Sequence, residues 1–210
     1  MTALLYHCPF NCSLAVRFAA AEGAVPLEIE QVDFKSKALA SGGSLLDINP
    51  LGQVSTMRLD SGDVLSETLA CLLWVQSHSQ NAFQVRPQDP AYFQMVRWLS
   101  FTSTELHKQI LRVVFYPEAT APVKDNFRAL APARYDLVET HLADNRFLVG
   151  DRFTAADAYL VWYLVLADRA RVPIDRHPRL GAYFATMTAR PDIAALIQDD
   201  TRRQGNEGRK

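Results

Sequence analysis

Cys12 is the residue whose type and position best fit covalent chemistry, because it stands where a strand pattern gives way to a helical one. The apolar run at residues 3–6 predicts a short buried strand, and Pro9, which lacks an N–H, interrupts it. From Ser13 the apolar spacing predicts a helix that stops near Gly23. Cys12 then falls at or just before the first helical turn, where unpaired amides and the positive dipole end lower the pKa of a thiol. Its thiolate would be a nucleophile.

Two alternatives to a reactive Cys12 stay open. A buried structural thiol is the first, because free cysteine is among the most buried residue types. Cys8 is the second candidate nucleophile, and the two thiols could act as an attacking and resolving pair if their sulfurs approach. Cys71 lies in an apolar helical pattern, which predicts inert packing.

Other polar residues have both a chemical and a structural interpretation. Glu67 and Thr68 begin a helical pattern, where they can bind a ligand's charged end or form an ordinary helix start. His107 lies within an apolar helical pattern, so it is either a satisfied structural histidine or a catalytic group. Thr154 and Asp157 have the spacing of a capping box and predict a structural role only.

Composition narrows the class of protein. The 210 residues are 49% hydrophobic with a formal net charge of −1, as in an ordinary soluble globular protein. No basic excess indicates a nucleic-acid partner, and no apolar run approaches the roughly 20 residues of a membrane span. The start of the chain lacks the pattern of an export signal, and three cysteines do not indicate a disulfide framework. We therefore expect a cytoplasmic protein without membrane partners.

The order of the predicted elements indicates two domains. Residues 1–80 have a β-α-β pattern, a β-hairpin and a helix, which is the thioredoxin-like order. Residues 81–90 contain two prolines and predict a linker, and residues 91–200 predict an all-helical domain. One helix is expected over 123–141, and the last over 192–197. The polar tail at 201–210 predicts disorder.

Several segments, well spaced along nearly the whole chain, carry a resemblance to a known family. They are Pro9-Phe10-Asn11-Cys12-Ser13-Leu14-Ala15, Asp47-Ile48-Asn49-Pro50-Leu51-Gly52-Gln53-Val54, Leu65-Ser66-Glu67-Thr68, the run 98–108 with its His107-Lys108 pair, and Gly150-Asp151-Arg152-Phe153-Thr154-Ala155-Ala156-Asp157-Ala158-Tyr159. Together they resemble the glutathione transferases, and most closely the cysteine-type bacterial beta class. The resemblance implies a thioredoxin-like N-terminal domain, an all-α helical-bundle C-terminal domain and glutathione as co-substrate.

The resemblance also implies roles for particular residues. Cys12 would face the glutathione thiol, with His107 pointing toward it. Glu67 and Thr68 would hold the γ-glutamyl end, and the backbone of Val54 would pair with the cysteinyl residue in the manner of an added strand. Gln53 would contact the same peptide, Lys35 or Lys37 the glycyl carboxylate, and Lys108 a carboxylate of the ligand. The alternative for these lysines is that they are simply solvated. An electrophile pocket would draw on Trp98, Phe101, Phe115 and Tyr116, with core packing as the alternative for the first two.

Two activities follow from the resemblance. In the first, a glutathione thiolate attacks a small hydrophobic electrophile, as in detoxification. In the second, Cys12 exchanges with disulfides through a mixed disulfide with glutathione. A two-fold homodimer is also implied, and the pattern assigns no metal ligand.

The chain departs from the family's pattern at two positions. Ser55 stands where the family has a cis-proline, so the Val54–Ser55 bond is either cis without proline or trans with a reshaped pairing edge. Leu51 replaces a lysine common in the class. These departures leave a second hypothesis open, namely a non-enzymatic binding or interaction protein that keeps the fold and has weakened or lost glutathione binding.

Overall fold

The computed structural model describes residues 2–81 and 83–207. The chain divides into two compact units, of which the first combines Met1–Gln84 with Pro191–Lys210 and the second is Val85–Arg190. Residues 191–200, which the helical pattern predicts to be part of the helical domain, belong to the first unit in the structure. The reason is that the last helix packs against the first one.

The first unit is built on a four-stranded mixed sheet with the order β2-β1-β3-β4. Strands β1 and β2 run parallel, with Leu5 opposite Ile29, whereas β3 is antiparallel to both β1 and β4. The strands are β1 (Ala3–His7), β2 (Leu27–Gln31), β3 (Thr56–Arg58) and β4 (Val64–Ser66). This topology confirms the predicted thioredoxin-like order.

Helices α1 (Ser13–Gly23) and α2 (Thr68–His78) pack against each other in this unit, and α9 (Pro191–Glu207) packs against α1. Leu14 and Phe18 of α1 are fully buried, as the apolar spacing predicts. The prediction of a disordered tail is wrong for residues 201–207, which continue α9. Residues 208–210 lie outside the described residues. The polar composition of residues 198–207 concealed the end of this helix, where Asp199 and Asp200 pair with Arg17, whereas Ile193 near its start is buried.

The second unit is all-helical, which confirms the predicted fold class. Its first helix is continuous but changes its winding, since α3 (Ala91–Phe101) leads into a π-helical segment (Thr102–Leu111) and then α4 (Arg112–Val114). The remaining helices are α5 (Ala121–Arg128), α6 (Ala131–His141), α7 (Ala155–Arg169) and α8 (Pro178–Thr188). The single helix expected over 123–141 is divided into α5 and α6. Pro132, in the first turn of α6, has no N–H with which to continue α5.

Helix α7 forms the centre of the second unit, because nearly all of its side chains are buried. At its start, Asp157 accepts hydrogen bonds from the N–H and the hydroxyl of Thr154, both at 2.9 Å. The predicted capping box is therefore present. Within residues 2–81 and 83–207, no helix combines the length and apolar character that crossing a bilayer requires.

Candidate active site

Cys12 lies at the start of α1, where the sequence pattern places it. Its backbone is already helical, with φ −61° and ψ −14°, and its carbonyl accepts from the N–H of Ala15 at 3.1 Å. The residue is only 7% exposed, and its thiol donates to the carbonyl oxygen of Val54 at 3.0 Å. The thiol is thus held between the tip of a helix and the chain segment that precedes β3.

The Val54–Ser55 peptide bond is cis, which is the first of the two alternatives that the sequence left open. The hydroxyl of Ser55 lies 3.9 Å from the sulfur of Cys12 and 3.3 Å from the hydroxyl of Thr68. The structure therefore brings Cys12, Val54 and Thr68 together, with Ser55 as the link. We call Cys12, Val54, Ser55 and Thr68 the thiol row.

Glu67 and Gln53 flank the thiol row along the chain, and both side chains are exposed. Glu67 immediately precedes α2 and has a left-handed backbone, with φ +71°. Gln53 is positioned through its carbonyl oxygen, which accepts from the side chains of Asn49 at 3.1 Å and Thr56 at 2.7 Å. Both polar groups are thus placed next to the row by locally fixed backbone.

The two lysines proposed for the glycyl carboxylate differ in their surroundings. Lys37 donates to the carbonyl of Phe34 at 2.6 Å, and its ammonium lies 4.5 Å from the centre of the Phe34 ring. Lys35 is exposed, and its backbone N–H bonds the side chain of Asp33 at 3.0 Å. The ammonium of Lys37 is therefore engaged locally, which favours Lys35 as the residue that reaches a ligand.

The other two cysteines are also in the first unit, and both are buried. The thiol of Cys8 accepts from the side-chain amide of Asn11 at 3.1 Å. The thiol of Cys71 lies 3.7 Å from the carbonyl of Leu65, and burial, followed by the charge of Cys12, raises the pKa of Cys71 to about 12. A thiol with so high a pKa stays protonated at neutral pH, which agrees with inert packing.

His107 lies in the π-helical segment of the second unit. Its Nδ1 is 2.8 Å from the hydroxyl of Tyr159, and its ring meets Trp162 edge-on with centroids 4.7 Å apart. Burial, followed by the charges of Lys108 and Arg112, lowers the pKa of His107 to about 3. The imidazole is therefore neutral at physiological pH and can act as a hydrogen-bond donor but not as an imidazolium acid. Lys108 is exposed.

The aromatic residues suggested for an electrophile pocket separate into two groups. Trp98 is fully buried and packs edge-on against Phe101 with centroids 5.7 Å apart, which supports the core-packing alternative for this pair. Phe115 and Tyr116, just after α4, are both largely exposed. Of the four aromatic residues, Phe115 and Tyr116 are therefore the more exposed pair at the surface of the second unit.

Four residues that the sequence analysis did not connect lie directly behind the loop that carries Cys12. Asp200 of α9 accepts from the backbone N–H of Phe10 at 2.6 Å and from the guanidinium of Arg17 at 2.5 Å. His7 joins the side chains of Asp200 and Ser13 through its two ring nitrogens, each at 2.9 Å. We call these residues (His7, Ser13, Arg17 and Asp200) the anchor cluster.

The only sequence signal for the anchor cluster was an arginine on an otherwise apolar helix face. Its acidic partners, Asp199 and Asp200, lie more than 180 residues away, just before the segment whose composition predicts disorder. Sequence patterns relate residues that are close together along the chain, so they do not pair Arg17 with Asp200.

A four-stranded thioredoxin-like unit and an all-helical unit define the fold class, and comparisons with known proteins identify the family. The family described as glutathione S-transferase, C-terminal domain, matches residues 121–186. A glutathione transferase structure from Methylococcus capsulatus str. Bath is 31% identical, with a TM-score of 0.89 over 95% of this chain and 98% of that one. The chain therefore belongs to the glutathione transferase family.

Two further solved structures place the fold more closely. A sphingomonad glutathione S-transferase in complex with glutathione is 26% identical, with a TM-score of 0.88 over 94% of this chain and 98% of that one. A bacterial beta class glutathione S-transferase from Sphingomonas chungbukensis is 27% identical, with a TM-score of 0.87 over the same shares of the two chains. The structural relatives thus include the class that the sequence motifs resemble.

Proposed function

We propose that this protein binds glutathione in its thioredoxin-like unit and is a glutathione-dependent transferase in which Cys12 is the reactive protein thiol. The observation that carries the proposal is the thiol row, because it combines a thiol at the start of α1, a peptide edge before β3 and a hydroxyl at the start of α2. Glutathione presents complementary groups, namely a thiol, a peptide backbone and charged ends. The solved sphingomonad relative with bound glutathione supports the same ligand.

The proposed binding mode uses the two helix starts and the chain segment between them. The carboxylate of Glu67 accepts from the glutathione ammonium, and Thr68 with the first amides of α2 holds the γ-glutamyl carboxylate. The backbone of Val54 pairs with the cysteinyl residue, while Gln53 contacts the same peptide. Lys35 reaches the glycyl carboxylate. From the second unit, the resemblance assigns His107 a polarising role and Lys108 a carboxylate contact.

Two reactions are compatible with this arrangement. In thiol–disulfide exchange, the Cys12 thiolate attacks a glutathionylated substrate at the glutathione sulfur, and the substrate thiolate leaves. A second glutathione thiolate then attacks the mixed disulfide, which releases glutathione disulfide and restores Cys12. In conjugation, the glutathione thiolate itself attacks an electrophilic carbon and displaces the leaving group. We propose exchange as the main activity, because the protein places its own thiol in the row.

Cys12→Ala tests the assignment of the thiol. We expect the disulfide reductase activity with glutathione to fall by about 100-fold or more, because the mixed disulfide can no longer form. Cys8→Ala and Cys71→Ala are the matched controls, since both remove a buried thiol from the same unit, and we expect at least half of the activity to remain. Unchanged activity in Cys12→Ala would remove this thiol from the mechanism.

A non-enzymatic binding protein is the second candidate, and Leu51 favours it. Where the class commonly has a lysine, this chain has an apolar side chain that is 67% exposed. Calorimetric titration with glutathione separates the two candidates. A Kd weaker than about 10 mM, equivalent to only a few kcal/mol, would support the binding protein.

The wider context follows the family as well. We propose a homodimer that acts in the cytoplasm on a small hydrophobic electrophile or a disulfide. Light scattering coupled to size-exclusion chromatography measures the oligomeric state directly. A monomer at micromolar concentration would contradict the dimer and leave the assignment of the thiol unaffected.

A further inference from the structure

The loop that carries Cys12 is held in place by the last helix of the chain. One oxygen of Asp200 accepts from the backbone N–H of Phe10, which stands two residues before Cys12. The other oxygen accepts from Arg17 and lies 2.9 Å from Nε2 of His7. Asp200 is completely buried, so these charge-assisted bonds are not shared with water.

The backbone at Phe10 shows why such a contact matters. Phe10 has a φ of +59°, a left-handed conformation that non-glycine residues rarely adopt. The turn just before Cys12 is closed by a bond of 3.0 Å from the N–H of Asn11 to the carbonyl of Cys8. A buried carboxylate on the amide of Phe10 therefore fixes the residue whose conformation directs the chain into α1.

The other end of the loop is fixed through Ser13. Its hydroxyl lies 2.9 Å from Nδ1 of His7 and accepts from the N–H of Cys8 at 3.4 Å. Hydroxyl, imidazole and carboxylate thus follow the order of a hydrolase triad. All three side chains are fully buried, however, so a substrate cannot reach Ser13. The cluster therefore does not supply a second nucleophile.

Asp199 is the natural reference for Asp200, because the two carboxylates are adjacent on α9. Asp199 is 24% exposed and pairs with Arg17 at 2.6 Å and with Arg203 at 2.7 Å. Both aspartates therefore share Arg17, but within the described residues only Asp200 of the two accepts from the backbone of the loop. This pair allows the loss of an ion pair to be separated from the loss of the loop contact.

We propose that Asp200 is a positioning residue for the Cys12 thiol, acting from the C-terminal helix through the amide of Phe10. This inference rests on the proposed function in that it takes Cys12 as the reactive thiol. Its consequence is that α9 is required for the reactivity of a cysteine almost 190 residues earlier in the chain.

The test is the alkylation rate of Cys12 by iodoacetamide as a function of pH, in full-length protein that carries Cys8→Ser and Cys71→Ser. For Asp200→Asn we expect the rate at pH 7 to fall about tenfold, because the amide can no longer accept from all of its former donors and the loop before Cys12 is held less firmly. For Asp199→Asn we expect a rate within about twofold of the parent. Asp200→Glu, which restores the charge, should recover part of the rate.

Equal rates in Asp200→Asn and Asp199→Asn, with both proteins folded by circular dichroism, would overturn the proposal. If Asp200→Asn does not fold, Asp200→Glu is compared with Asp199→Glu, since both keep the charge and move a carboxylate by one methylene. A slowing of at least threefold for the first alone supports positioning, and equal rates refute it. Alkylation needs no glutathione, so this result is independent of whether the protein turns over that substrate.

Discussion

Two fully buried carboxylates, Asp200 in the first unit and Asp157 in the second, make similar hydrogen bonds in different surroundings. Each accepts from backbone N–H groups, Asp200 from Phe10 and Asp157 from Thr154 and Leu148. Asp200 is paired with a guanidinium. Leu148, Thr154 and Tyr183, which donate to Asp157, are uncharged, and burial raises the pKa of Asp157. The difference shows that a buried acid can stabilise a helix start or orient a reactive loop, depending on the backbone it holds.

This comparison also separates stability from chemistry. Asp157 bonds the first turn of α7 and, through the hydroxyl of Tyr183 at 2.8 Å, also α8. Loss of Asp157 should therefore lower the free energy of unfolding. Asp200 accepts a hydrogen bond from the loop before α1, so its loss should lower the reactivity of the Cys12 thiol. The predictions below test this difference between Asp157 and Asp200.

The largest expected effect is that of Asp157→Ala. It leaves the N–H groups of Thr154 and Leu148 and the hydroxyl of Tyr183 without their acceptor, and each unsatisfied buried donor costs about 1–3 kcal/mol. We expect the free energy of unfolding to fall by about 3 kcal/mol or more, measured by urea denaturation. The alkylation rate of Cys12 in the folded protein should stay unchanged. A slower rate would erase the contrast with Asp200.

An intermediate effect is expected for His107→Gln as the pH falls. The pKa of His107 in the folded protein is lowered to about 3, below the value near 6.5 of an unfolded histidine. The unfolded state therefore binds the extra proton between these values, and stability decreases as the pH falls from about 7 toward 4. Each such proton contributes up to about 1.4 kcal/mol per pH unit, so the variant should lose less stability on acidification.

Urea denaturation at pH 7 and at pH 5 measures this difference between the variant and the parent. His7 is the histidine of the first unit with which His107 can be compared. Burial, the largest influence, lowers the pKa of His7, although Asp200 acts to raise it. An identical pH dependence in His107→Gln and the parent protein would show that His107 is not held neutral.

The smallest effect is expected for Arg203→Ala. Although burial opposes it, hydrogen bonds from Arg203 and Arg17 lower the pKa of Asp199 to about 2. The pair of Asp199 and Arg203 is partly exposed, and such pairs contribute about 1 kcal/mol or less. We expect a loss within that limit at pH 7 that disappears in 1 M salt, because exposed charges are screened. A loss that is independent of salt would mean that Arg203 acts through packing.

The first unit could be predicted in some detail from the sequence. The apolar spacing of α1, its end near Gly23 and the hairpin before α2 are all local patterns, and the structure has them. The capping box of α7 is likewise local, since Thr154 and Asp157 are three residues apart. Local patterns failed where a proline divided α5 from α6 and where ion pairs, rather than apolar residues, held the end of α9.

The candidate site was predicted only in part for the same reason. Cys12, Glu67 and Thr68 are marked by their places at helix starts, which a sequence reveals. The link through Ser55 depends on the path of the chain before β3, and the support from Asp200 depends on a contact with a helix at the other end of the chain. Neither leaves a periodic signal.

Local sequence patterns are sufficient to predict a cysteine at the tip of the first helix, because helix starts and strand ends follow from the spacing of neighbouring residues. The groups that surround that thiol depend on tertiary contacts. Burial of Asp200 against Arg17 and Phe10 brings together residues from both ends of the chain, and the low dielectric of the interior makes those few bonds strong.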